Sequence, residues 1–121
     1  METICAIREI YKAISEFEIK FEEINRISLN EAMVLCSLSE GRLSASEIAK
    51  RASMSASNTS KVVSSIEKKW LIERVVGKSD KRQMYFSLTK EGKSVISRMN
   101  CNSVELPEVL KRALSKSEAE L

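Results

Sequence analysis

Between Ser44 and Lys93 the chain passes through two short helical patterns joined by a serine-rich turn, then through two strand-like runs separated by a polar tip. Ser44-Ala45-Ser46-Glu47 has the S-x-x-E form of a capping box and opens a helix carrying Ile48, Ala49 and Ala52. The small Ala49 leaves room for a second helix to approach closely. Ser53-Met54-Ser55 forms the turn, with Met54 expected to fill the core and Ser55 to cap the helix that follows, from about Ala56 to Lys69. At helical spacing its inward face is Thr59, Val62, Val63, Ile66 and Trp70, and its outward face is Ser57, Asn58, Ser60, Lys61, Ser64 and Ser65.

A merely solvated helix face favours Glu, Lys, Gln and Arg, which are better helix formers than serine. Short hydroxyl and amide side chains weaken the helix but let its backbone sit close to a groove and bond to base edges and phosphates. Glu67 comes late, where it need not meet a phosphate. Leu71 to Val76 and Met84 to Leu88 then read as strands, and Gly77-Lys78-Ser79-Asp80-Lys81-Arg82-Gln83 as the hairpin tip between them. Lys78, Lys81 and Arg82 on one exposed tip suit a minor groove or phosphate backbone, and Asp80 is expected to hold the Arg82 guanidinium by a bidentate bond. The arrangement is a winged helix-turn-helix: mainly α, with a small β-hairpin wing.

Charge follows the same division. Residues 1 to 41 carry four Lys and Arg against eight Glu, residues 42 to 93 carry twelve against five acids, and residues 94 to 121 carry four of each. The formal net charge of +3 therefore conceals a local excess of +7 over the segment with the helix-turn-helix and wing, as a phosphate-facing surface requires.

The flanking segments read as helices. Ile4, Ile7, Tyr11, Ile14, Phe17, Phe21 and Ile24 recur every three or four residues, giving a long amphipathic helix over residues 2 to 24 with more apolar face than one neighbour can cover. A second copy of the chain is the expected partner. Ser28-Leu29-Asn30-Glu31 forms another capping box before Ala32, Met33, Leu35, Cys36 and Leu38, with Cys36 expected in the core and Gly41 ending the helix. Thr89 caps a helix through Val95, Ile96 and Met99 that loosens from Asn100 to Ser103, and Pro107 suits the first turn of a further piece bearing Val109, Leu110 and Leu114.

Several function classes are excluded. The chain has no histidine, so a serine or cysteine nucleophile would lack its usual imidazole base, and it has no G-x-x-x-x-G-K-[ST] or G-x-G-x-x-G run. An enzyme is not expected, nor is a cofactor. Cys5, Cys36 and Cys101 are odd in number and far apart, which speaks against a metal site or a disulfide framework. A thiol switch through Cys5, in the first turn of a helix, or through Cys101 is the less favoured reading beside plain packing. No basic leader and no membrane-length apolar run is present, so a cytoplasmic protein is expected.

These residues resemble the MarR family of bacterial regulators. Ser46-Glu47-Ile48-Ala49 resembles its first helix of the helix-turn-helix, Thr59-Ser60-Lys61-Val62-Val63 its recognition-helix V-T-R-L-V, and Leu71-Ile72-Glu73-Arg74 its L-I-E-R. Asp80-Lys81-Arg82 and Leu88-Thr89-Lys90-Glu91-Gly92 resemble its wing D-x-R and L-T-x-x-G. The resemblance implies one MarR-like domain over residues 1–121, with a winged-helix core at 28–89 and dimerisation helices at 2–24 and 90–121. It further implies a homodimeric, sequence-specific transcriptional regulator, a repressor, on a pseudo-palindromic operator in double-stranded DNA. Ser55, Ser57, Asn58, Ser60, Lys61, Ser64, Lys78, Lys81 and Arg82 would meet the DNA, and a small aromatic or anionic effector would release it. The alternative is a winged-helix protein-interaction module or anti-repressor that binds no DNA.

Three departures bear on these expectations. Thr59 stands where the family prefers an apolar residue and Ser64-Ser65 where it often has Asp-Arg, which bears on how the recognition helix is oriented. Trp70 stands at the usual glycine, so a different helix end is expected. Only Ala119-Glu120-Leu121 follow a last capping-box start at Ser115 to Glu118, so the dimer is expected to lean on residues 2 to 24 and 90 to 114.

Overall fold

The computed structural model describes residues 2–77, 82–101 and 105–112. They fall into two compact units, one of residues 2–28 and 105–112 and one of residues 29–77 and 82–101.

The first unit holds α1, Thr3–Asn25, about 34 Å long at 1.5 Å per residue. Phe17 and Phe21, one turn apart, face each other with ring centroids 5.9 Å apart, and Ala13 and Phe21 are buried. Arg26 ends the helix in the left-handed region and donates its N–H to the Glu22 carbonyl. Residues 108–112 form a further helical stretch, in which Leu110 and Lys111 N–H both donate to the Pro107 carbonyl at 3.0 Å, as the reading of Pro107 anticipates. The expected last helix start at Ser115 lies outside the described residues.

The second unit is the winged helix. It runs α2 (Leu29–Ser37), a 3-10 turn at Leu38–Glu40, β1 (Leu43–Ser44), α3 (Ala45–Arg51), α4 (Ala56–Lys68), β2 (Ile72–Val76), β3 (Met84–Leu88) and α5 (Lys90–Cys101). The sheet order is β1-β3-β2 and both pairings are antiparallel, with Leu43 opposite Phe86, and Ile72 opposite Leu88 through to Val76 opposite Met84. Sequence patterning finds β2 and β3 but misses β1, whose two residues are too few for any alternation to show. Leu35, Ile48, Ile66 and Ile72 are almost wholly buried, one side chain from each of α2, α3, α4 and β2.

Helices α3 and α4 end alike. After α3, Ser53 takes φ 53°, with Met54 N–H on the Ala49 carbonyl at 2.9 Å and Ser53 N–H on the Lys50 carbonyl. After α4, Trp70 takes φ 63°, with Leu71 N–H on the Ile66 carbonyl and Trp70 N–H on the Glu67 carbonyl, both at 3.1 Å. Each pair of bonds is a Schellman motif, which needs a residue at positive φ just past the helix. Trp70 therefore corrects two expectations: the helix ends as it would with glycine, and the indole points outward, 77% exposed. One residue cannot both occupy that left-handed position and continue the apolar face of α4. Cys36 is a third correction, since it lies on the exposed side of α2 while Val34 and Leu35 take the core. Met54 is half-buried.

Candidate nucleic-acid interface

The capping assignments position α3 and α4. Ser44 Oγ accepts from Glu47 N–H at 3.3 Å and Glu47 Oε1 accepts from Ser44 N–H at 3.0 Å, a complete capping box. These bonds from the Ser44 backbone and side chain, helped by Arg51, hold the Glu47 carboxyl below its ordinary pKa. Ser55 Oγ accepts from Asn58 N–H at 3.1 Å, so this hydroxyl serves the helix end. Thr59, buried among apolar neighbours, donates its hydroxyl to the Ser55 carbonyl at 2.8 Å, which satisfies the polar atom at an apolar position.

With those ends fixed, Val62, Val63 and Ile66 are buried and Ser57, Ser60, Lys61 and Ser64 are exposed, while Asn58 is half-buried. The exposed four line an open groove of about 950 Å³ together with Lys68 and Lys69. Lys68 was missed by sequence reasoning, although it lies four residues beyond Ser64 and seven beyond Lys61 and so shares their face. Ser65 is corrected: it is part-buried and donates to Glu31 Oε2 at 2.9 Å. Lys69 Nζ reaches both Glu31 oxygens, at 3.0 and 2.9 Å. Glu31 itself is 5% exposed.

The opposite flank of α4 is held by Glu67, which takes Arg74 Nε at 2.7 Å and Nη2 at 3.3 Å. That bidentate bond raises the Arg74 pKa further above its already high ordinary value. Arg74 also lies over the Phe86 ring, 5.7 Å from its centroid. At the wing, Gly77 N–H donates to the Gln83 carbonyl at 3.0 Å and closes the hairpin ladder below the tip. Arg82 is exposed, and Arg42, absent from the sequence reading, stacks over Tyr85 at 5.0 Å. The other expected wing residues, Lys78, Asp80 and Lys81, lie outside the described residues, as does the expected Asp80 bond to Arg82. Cys5 is half-buried, and the side chain of Cys101 is outside the described part. Among the described residues no helix is long and apolar enough to cross a membrane.

The family model that matches is that of the MarR family, over residues 27–84. Residues 27–84 carry a MarR-family winged helix. No curated protein matches the chain in sequence. Among solved structures the chain is similar to the transcriptional regulator BldR from Sulfolobus solfataricus, at TM-score 0.73 and 23% identity, covering 100% of this chain and 88% of that one. It is also similar to a MarR mutant from E. coli complexed with operator DNA, at 0.69 and 18%, covering 91% of each. A third similar structure is BpsR of Bordetella bronchiseptica, whose DNA binding is regulated by 6-hydroxynicotinic acid, at 0.66 and 15%, covering 94% and 84%. The MarR match ends at Met84, so α5 is tied to this fold by structural likeness alone.

Proposed function

We propose that this chain is a MarR-family regulator that binds DNA sequence-specifically, acting as a homodimeric repressor on a pseudo-palindromic operator. The observation that carries the reading is the open face of α4, where Ser57, Ser60, Lys61, Ser64 and Lys68 stand together and the one carboxylate of the helix, Glu67, is turned aside to Arg74. Short hydroxyls admit the backbone to a major groove while the two lysines neutralise phosphates. Arg82, itself exposed, would meet the flanking minor groove in the same reading. By analogy with BpsR, a small aromatic or anionic effector would lower the affinity, and a panel of aromatic carboxylic acids added to the binding reaction reads that out.

Homodimerisation rests on α1, whose Ile4, Ile7 and Tyr11, on successive turns of one face, are 80%, 47% and 67% exposed in the single chain. Contiguous apolar exposure of this kind marks an association surface.

The test is selection of bound duplexes from sheared genomic DNA, followed by titration of the selected duplex at several salt concentrations. Affinity falls steeply with salt, and Lys61→Ala or Arg82→Ala each costs about 1 to 3 kcal/mol. Salt-independent binding, or selection of no duplex at all, overturns the reading.

A further inference from the structure

Glu31 sits on α2, and Ser65 and Lys69 sit one turn apart on one flank of α4. At about 100° per residue, and measured from Ser57, the groove-facing residues lie within about 60° either way, Ser65 and Lys69 lie at about 80° and 120°, and Glu67 lies at about −80°. The face proposed to meet DNA is thus framed by two carboxylate contacts, Glu31 on one side and the Glu67–Arg74 pair on the other.

We propose that Glu31 is a positioning residue for that face: it fixes the roll of α4 through Ser65 and Lys69, and it keeps the Lys69 ammonium off the phosphate backbone. This rests on the DNA-binding reading above. Beyond the capping-box role expected at Ser28, desolvation limits what Glu31 adds to stability. A buried carboxylate bears a desolvation cost that its ion pair only offsets, and apolar residues of similar volume commonly serve as well or better in such places. A buried ionic contact supplies direction instead. The apolar side of α4, with Val62, Val63 and Ile66, gains by burial regardless of small rotations, because the hydrophobic effect is non-directional. The 2.9 Å bond from the short Ser65 side chain to Glu31 is not tolerant in this way. A roll of about 20° moves a side-chain tip about 6 Å from the helix axis by about 2 Å, enough to lose a bond to a base edge.

Lys69 completes the case. Its side chain is 42% exposed and lines the same groove as Lys61 and Lys68, yet its charge is turned to Glu31. Released, it would add a sequence-independent phosphate contact and dilute the discrimination of the serine face.

The experiment compares the wild-type chain with Glu31→Leu, Glu31→Gln and the double variant Glu31→Leu/Lys69→Met. Each is titrated with a duplex selected by the wild type and with a shuffled duplex, across a salt series, alongside thermal unfolding. Glu31→Leu is expected to lower the thermal midpoint modestly, since Ser65 loses its acceptor while Lys69, 42% exposed, turns to solvent. Its preference for the selected duplex falls about tenfold, as for loss of one good base contact, and its log affinity against log salt steepens by about one phosphate's worth. The double variant regains the wild-type slope but not the preference. Should Glu31→Leu fail to fold, Glu31→Ala is read for the same two changes, with Glu31→Gln, whose amide oxygen still accepts from Ser65, expected to steepen the salt slope alone. A variant that folds and keeps both the preference and the salt slope overturns the inference and leaves the DNA-binding reading standing. A wild-type chain that selects no duplex removes both.

Discussion

A tryptophan held in a left-handed backbone well bears a cost that glycine does not, about 1 to 2 kcal/mol for a residue with a Cβ. Trp70 returns little of that by burial, since its indole is 77% exposed. The conformation is imposed from outside. Thr89 donates its hydroxyl to the Trp70 carbonyl at 2.6 Å and its N–H to the Leu71 carbonyl at 3.1 Å, while the same hydroxyl accepts from Gly92 N–H at 3.0 Å. Thr89 thus caps α5 and clamps the end of α4 at once. Trp70→Gly is expected to raise stability by about 1 kcal/mol, the relief of strain being partly offset by the freer unfolded chain, as read by the denaturation midpoint. Gly92 is the reverse case. A Cβ built there would stand 2.1 Å from the Leu71 carbonyl oxygen, which is backbone and cannot swing away. Gly92→Ala is expected to destabilise by more than about 2 kcal/mol, through overpacking or displacement of α5; an unchanged unfolding midpoint would contradict this close approach. The L-T-x-x-G pattern makes both Thr89 and Gly92 legible in sequence, but the close approach to Leu71 is a tertiary fact with no local trace. Nor does the residue at position 70 announce its own backbone angle, because the clamp that imposes it lies nineteen residues away.

At the scale of elements, what was legible was what is local. The boxes and caps at Ser44, Ser55 and Thr89 bond within three residues, and the structure has all of them. The interior side of α4 followed from its 3.6-residue period, apart from Trp70 and Ser65 at its edges. Contacts spanning long stretches of chain were invisible: Glu31 to Lys69, thirty-eight residues apart, reads in sequence only as a capping-box acid. Because Ser44 lowers the Glu47 pKa on folding, the sign of its pH dependence is set. Its contribution is complete above the ordinary glutamate pKa of 4.5 and is lost as pH falls through the depressed folded value. The difference in unfolding midpoint between wild type and Glu47→Ala is therefore expected to be constant near neutrality and to shrink in acid. A difference that grows on acidification contradicts the capping role. Ser55→Ala, which removes a neutral cap, is expected to cost about 1 kcal/mol with no such acid dependence.

For the whole molecule, the charge partition and the exposed stripe of α1 point to a division of labour. The acidic first third of the sequence carries the apolar helix and is a poor surface for phosphate, whereas the segment with an excess of +7 carries the open face of α4. A single short recognition face offers few base contacts, so presenting it twice on a pseudo-palindrome multiplies the discrimination without adding a residue. Association is therefore expected to come before operator binding, and the two should fail together. Ile7 and Tyr11, one turn apart on α1, are 47% and 67% exposed in the isolated chain. Glutamate at both positions adds charge to an already acidic helix and costs little in an isolated chain, because neither side chain is buried there. The pair Ile7→Glu/Tyr11→Glu is expected to leave thermal unfolding of the winged-helix unit near the wild-type value and to shift sedimentation equilibrium to the monomer. Affinity for the selected duplex is expected to drop at least tenfold, with one half-site still occupied at high protein concentration. If the doubly substituted chain sediments as the wild type does, or binds the full operator unchanged as a monomer, α1 is not the association surface.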